Sequence, residues 1–241
     1  MANLDRRQIS MRLTEPEAKT VLIECGVDEV GIGSAIAEVY AAACILDPVK
    51  RINGLRDSKE LTADRRKQLS ERIKERALDF CIATASLEEV NQLNVLGATM
   101  VAMKRAVEGL KLKPDIVLID GNRMPKLSIP ARTIVKGDAK VRSISAASIL
   151  AKVARDEAML KYHEQFPNYG FAENKGYLTE FHLATLRQFG PCPIHRKHYA
   201  PIRALLEVGQ PTEINLELLI SDNPATNKNC ATGAVNGLGH P

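Results

Sequence analysis

A chain of 241 residues with 45% hydrophobic and 26% charged side chains can bury a substantial core, which excludes a disordered or fibrous protein. The formal net charge of +4 would favour a polyanion without identifying one, and 4% aromatic residues with no Trp argue against an open stacking platform, so any nucleic-acid contact is expected to run through phosphates. No apolar run is long enough to cross a bilayer, Met1 to Leu13 builds no apolar signal, and the five cysteines are odd in number and scattered, so a soluble cytoplasmic protein is expected, with no membrane contact.

Residues 1–19 read as an N-terminal extension. Thr20 to Val30 and Glu38 to Leu46 are β-rich runs, and Gly31-Ile32-Gly33-Ser34 between them reads as a turn. The first run ends in Asp28 and Glu29. Leu61 to Leu78 has helical periodicity with a charged face, Phe80 to Ala85 reads as a strand, and Asn94 to Leu110 as an apolar-striped helix. Asp115 to Ile119 is a continuous apolar run with Asp120-Gly121-Asn122 at its tip, the pattern of a buried strand that delivers an acid. Thr133 to Val135 is a further short strand. Ser145 to Tyr162, rich in Ala and opened by Ser143 or Ser145, is a helix with Asp138 just before it. A last helix, Thr179 to Phe189, stops at Gly190-Pro191. Buried strands alternating with helices predict an α/β fold around a central sheet, occupying residues 20–206. Gly, Asn, Thr and Pro dominate after about Val208, so 207–241 is expected to form a flexible tail.

An Asp-Glu pair at a strand end is most often a solvated terminus. Here a second buried strand ends in Asp120, and if the two strands were neighbours the acids would meet. Converging carboxylates repel unless a cation neutralises them, and hard divalent ions prefer such oxygen donors. A cluster of this kind can hold two ions around a scissile phosphate, one activating water and one stabilising the leaving oxygen. Asp138, between Lys136 and Lys140, is a candidate fourth member, although an Asp so placed is by itself more often a solvated turn.

The strings Gly26-Val27-Asp28-Glu29-Val30-Gly31-Ile32-Gly33, Asp57-Ser58-Lys59, Ile119-Asp120-Gly121-Asn122, Lys136-Gly137-Asp138-Ala139-Lys140, Ser145 through Lys152, Lys175-Gly176-Tyr177 and Gly190-Pro-Cys-Pro-Ile-His195 resemble, in order and spacing, bacterial ribonuclease HII. The resemblance spans about Cys25 to Arg203. It implies a ribonuclease H-like mixed sheet flanked by helices with a helical C-terminal part, and a monomer that cleaves on the 5′ side of a ribonucleotide hybridised to, or embedded in, duplex DNA, using Mn2+ or Mg2+. Asp28, Glu29 and Asp120 resemble the family's metal-binding acids and Asp138 its fourth catalytic acid. Gly31, Ile32, Gly33 and Tyr177 correspond to the elements that read the ribose 2′-hydroxyl, the group that separates RNA from DNA. Lys59 and Ser148 are expected phosphate contacts, against the plainer readings of a solvated lysine and a back-bonded helix serine.

The departures fall in one place. The family's loop reads Gly-Arg-Gly-Pro with a Gly-Pro soon after; this chain has Gly31-Ile32-Gly33-Ser34 and then Ala37-Glu38. Ile32 keeps the main chain but loses a guanidinium, and Glu38, if it faced the groove, would repel phosphate. Weaker substrate binding is therefore expected, with a non-catalytic hybrid binder as the alternative. A dinucleotide fold fits poorly, because Ile36 stands where the third glycine belongs and a strand follows in place of a helix. Zinc on Cys192, His195 and His198 lacks a fourth ligand.

Overall fold

In the computed structural model, which describes residues 22–208, the two leading apolar runs pair with each other. Strand β1 (Glu24–Val30) lies antiparallel to β2 (Val39–Ile45), with Asp28 opposite Ala42. Beyond helix α1 (Ala63–Arg76), β3 (Asp79–Ala85) adds antiparallel to β2. Strands β4 (Ile116–Asp120) and β5 (Ala131–Ile134) add in parallel on the other side of β1, giving the order β3-β2-β1-β4-β5. The sheet is mixed, as expected, and β1 at its centre has neighbours on both edges.

Helix α2 (Leu87–Glu108) begins earlier than its periodicity suggests. Ser86 and Glu89 form a reciprocal capping box at its start, and Asn94, at φ 58°, kinks it. The Asn94 carboxamide oxygen accepts from the N–H groups of Leu96 and Gly97, so the residue expected to open the helix caps its second segment instead. Cys25 and Val27 of β1 with Val117 and Ile119 of β4 share one core with α2. The intervening residues face the other side, where α4 (Arg142–Gln165) packs.

Neither Ser143 nor Ser145 caps α4. It opens at Arg142 after Val141, with no side-chain cap, and the Ser145 hydroxyl is shared between the carbonyls of Asp138 and Val141. Its first turn lies against β1 at Gly26, where an added Cβ would sit 2.1 Å from the Ser143 carbonyl carbon. Only glycine admits that approach. The preceding turn, α3 (Gly137–Lys140), is thereby held at the ends of β1 and β4.

The helical C-terminal part contains α5 (Phe171–Asn174), α6 (Glu180–Phe189) and α7 (Ala200–Val208), around a second core of Tyr169, Phe171, Leu183, Leu186 and Ile202. Helix α6 starts at a Thr179 cap and ends at Gly190, as its sequence predicts, whereas α7 had no expectation. No described helix is long and apolar enough to cross a membrane. The extension 1–19, residues Thr20 and Val21 of the first run and nearly all of the tail fall outside the described residues.

Candidate active site

Parallel pairing of β1 with β4 sets Val27 beside Ile119. The next residue on each strand turns to the opposite face, so Asp28 and Asp120 point together toward α4. A third acid arrives from α3, whose Gly137 and Asp138 N–H groups donate to Asp120 Oδ1 at 2.6 and 3.4 Å. Carboxylate oxygens of Asp28, Asp120 and Asp138 lie within 4.8 Å of one another, with Asp28 only 5% and Asp138 7% exposed. Among the described residues this is the one group of three or more His, Cys, Asp or Glu side chains close enough to share a metal ion. Glu29, half-buried, lies outside that tight group but not outside its field.

Burial first, and then the charges of Glu29 and Asp120, hold the Asp28 carboxyl well above the ordinary carboxylate range. Burial and Asp120 push Glu29 up to about 7, and burial, Asp120 and Asp57 raise Asp138. Lys59 sits in the opposing position. Burial pulls its ammonium down, but Asp57, Asp138, Asp28 and Asp120 together outweigh that and keep it above its usual value. The Asp57 side chain fixes the turn carrying Lys59 by accepting from its N–H at 2.9 Å. Ser148 of α4 donates to the Ser58 hydroxyl at 2.9 Å and lies against Asp28, where it offsets part of the carboxyl's rise. A single lysine among four acids leaves the cluster negative, and its donors are all oxygen, a set suited to hard divalent cations.

The glycine loop begins two residues past Glu29. Gly31, at φ 100°, lies on the Arg155 side chain, where an added Cβ would come 2.6 Å from Nε. The same guanidinium stands 5.7 Å from the centre of the Tyr177 ring. Arg155 thus joins two predicted site elements far apart in sequence, and it escaped sequence reading; the available signal was an arginine on an Ala-rich, buried stretch of α4. Arg196 was missed as well. It is 2% exposed, and burial lowers its guanidinium to about 9, which leaves it charged at neutral pH. Glu38 turns toward α4, where its carboxylate accepts the Tyr162 hydroxyl at 2.6 Å.

Ala37, where the resemblance implies glycine, keeps φ 58° and is 1% exposed. Relief of left-handed strain by glycine, about 1–2 kcal/mol, is offset by lost methyl burial and greater unfolded-state freedom. Ala37→Gly is therefore expected to be neutral within about 0.5 kcal/mol by denaturant titration, whereas Ala37→Val should lose more than about 2 kcal/mol because a β-branched residue resists this conformation.

Cys192 and His195 take part in a hydrogen-bond chain instead of a zinc site. Since the Tyr177 carbonyl can only accept, His182 Nδ1 donates to it at 3.0 Å. His195 Nε2 then donates to His182 Nε2 at 3.1 Å, and His195 Nδ1 accepts from the Cys192 N–H at 2.9 Å. Burial lowers both rings, His195 to about 3 with His182 adding to the effect. Their folded pKa values lie below the unfolded one, so the chain loses stability as pH falls below about 6.5 toward 3. His195→Gln should flatten this limb by about 2–4 kcal/mol relative to wild type, read from urea midpoints across pH.

Fold and site together define the class: a metal-dependent phosphodiester hydrolase of the ribonuclease H fold. The sequence pattern of the family described as Ribonuclease HII matches residues 25–202. A ribonuclease HII of Desulforamulus reducens is 60% identical over 193 residues, covering 80% of this chain and 97% of that one, and one of Natranaerobius thermophilus is 55% identical over 184 residues, covering 76% and 93%. Among solved structures, ribonuclease H2 from Pyrococcus horikoshii superposes with a TM-score of 0.65 at 25% identity, over 77% of this chain and 97% of that one. The chain belongs to the ribonuclease HII family, divalent-metal-dependent endoribonucleases that cleave the RNA of RNA–DNA hybrids.

Proposed function

We propose that the chain nicks the phosphodiester on the 5′ side of a ribonucleotide, whether embedded in duplex DNA or at a hybrid junction, and that Asp28, Glu29, Asp120 and Asp138 hold the Mg2+ or Mn2+ ions for this step. The observation that carries the reading is the meeting of three carboxylates, two buried and that of Asp120 half-buried, within 4.8 Å at the strand end from which the glycine loop departs. Bound divalent ions would activate water and offset charge on the phosphate. Asp28 and Asp120 approach from the sheet, Asp138 from α3, and Glu29 adds negative charge at the rim. Lys59 and Ser148 stand beside the acids, where a phosphate oxygen would find an ammonium and a hydroxyl.

Recognition of the ribose falls to the loop and Tyr177. The N–H groups of Ile32 and Gly33 meet no acceptor among the described residues, so they remain available to a sugar hydroxyl or phosphate. The half-buried Tyr177 ring is held against Arg155, the same side chain that Gly31 packs on. The enzyme is read as a cytoplasmic monomer, in keeping with free Cys25, Cys44, Cys81 and Cys192.

The test is nicking of three duplexes, one with a single ribonucleotide, one RNA–DNA hybrid and one all-DNA, in Mg2+, Mn2+ or chelator. Cleavage 5′ of the ribonucleotide in either metal, with the all-DNA duplex intact, is the expected result. Ile32 motivates a second reading, a hybrid binder with weakened or no catalysis. Binding of the first two duplexes without nicking in either metal would establish that reading and remove the first.

A further inference from the structure

We propose that Arg196 is a positioning residue for ribose recognition, whose buried guanidinium fixes the glycine loop in the shape that leaves its leading amides free for substrate; the inference rests on the recognition role assigned to that loop above. The guanidinium reaches four loop carbonyls. Nη1 donates to Ile32 at 3.0 Å and Ser34 at 2.7 Å, Nε to Ala37 at 2.9 Å and Nη2 to Glu38 at 3.1 Å. Its own N–H donates to the Ala35 carbonyl at 2.8 Å. One residue, far along the chain, therefore ties down five carbonyls of a segment between Ile32 and Glu38.

Burying a cation costs several kcal/mol unless its donors are satisfied, and an apolar side chain would fill the same space without that cost. What an apolar side chain cannot do is collect carbonyls from a backbone that follows neither helix nor strand. With those oxygens turned inward, the N–H groups of Ile32 and Gly33 are, with those at the two ends of the segment, Gly31 and Glu38, the loop donors that meet no protein acceptor among the described residues. The loop is joined to the second recognition element by the same packing. Ala35 N–H and the Ser34 hydroxyl both donate to the Gly176 carbonyl, at 2.9 and 3.2 Å, and the next carbonyl, that of Tyr177, is held through His182 and His195, immediately before Arg196. Arg196 therefore sets the distance between the free amides and the tyrosine as well as the loop's own shape.

Lysine keeps the charge but replaces a planar fork with one ammonium that cannot span carbonyls at both ends of the loop. The experiment compares wild type, Arg196→Lys, Arg196→Gln and Arg72→Gln on duplexes with and without one ribonucleotide, measuring affinity in Ca2+ and kcat and KM for nicking in Mg2+. Thermal unfolding, Mn2+ affinity and amide exchange are measured on the same samples. Both Arg196 variants should lose roughly tenfold or more in preference for the ribonucleotide duplex, mainly through KM, with Mn2+ affinity unchanged. The amides of Ala35 and Ala37 should exchange faster while those of β1 and β2 do not. Arg72→Gln, an exposed change on α1 away from the loop, should retain the preference. Undiminished preference in the Arg196 variants, equal loss of metal affinity and recognition, or loss of the fold in both variants would overturn the proposal, the last by making Arg196 a folding residue. Failure of wild type to prefer or nick the ribonucleotide duplex would instead overturn the recognition role of the loop.

Discussion

Replacing Asp28 or Asp120 by Asn is expected to reduce metal-dependent nicking by at least about a thousandfold, on the order of 4 kcal/mol of transition-state stabilisation, while hybrid binding in chelator survives or improves. The two acids are adjacent through strand register, so either substitution replaces one anionic carboxylate of the proposed metal site with a neutral carboxamide without disturbing the backbone that holds the other. The same substitutions should stabilise the metal-free protein. Burial and mutual repulsion raise Asp28, and Glu29 to about 7, so the folded state binds protons more tightly than the unfolded one. Stability therefore falls as pH rises from about 4.5 through 7, the reverse of the histidine contribution over the same range. Divalent metal should cancel this loss in wild type and give its largest rise in melting temperature above pH 7; in Asp28→Asn both the loss and the metal-dependent rise should shrink. A metal-free pH profile that is the same in wild type and Asp28→Asn, or full nicking by Asp28→Asn, would show that the cluster is not the metal site.

Much of this arrangement was legible in the chain because it depends on local signals. Period-two and continuous apolar runs marked β2 to β5 within a residue or two, while the first run, from Thr20, starts four positions ahead of Glu24, and the acids at the strand tips were visible as polar residues ending buried segments. Parallel pairing of β1 with β4 was not visible, since register between strands some ninety positions apart is a tertiary choice; the family order of motifs supplied the convergence that spacing left open. The caps show the other limit. Ser143 and Ser145 look like N-caps, yet the close approach of α4 to Gly26 and the turn at Gly137–Lys140 determine where the helix opens. Arg155 and Arg196 were illegible for a related reason. A charged side chain reads as surface until the fold encloses it, and only the enclosed loop reveals that each guanidinium has backbone to hold.

The departure at Ile32 can now be weighed separately from the loop that carries it. Arg196 binds the Ile32 carbonyl, the loop is tied at Ala35 and Ala37 to the C-terminal part, and none of these contacts uses the Ile32 side chain. Ile32→Arg should therefore leave the backbone unchanged and add one guanidinium beside a negatively charged substrate. A charge-assisted contact of roughly 1.5–3 kcal/mol corresponds to a ten- to hundredfold gain in kcat/KM, expressed mostly as a lower KM because the carboxylates are untouched. Salt separates a phosphate contact from a general gain in activity. If the new guanidinium meets a phosphate, the slope of log affinity against log salt should steepen by about one, and the advantage should shrink as ionic strength rises. Equal salt slopes with an unchanged KM would mean that the residue at position 32 points away from the substrate. The arginine that the resemblance implies would then have no missing role here.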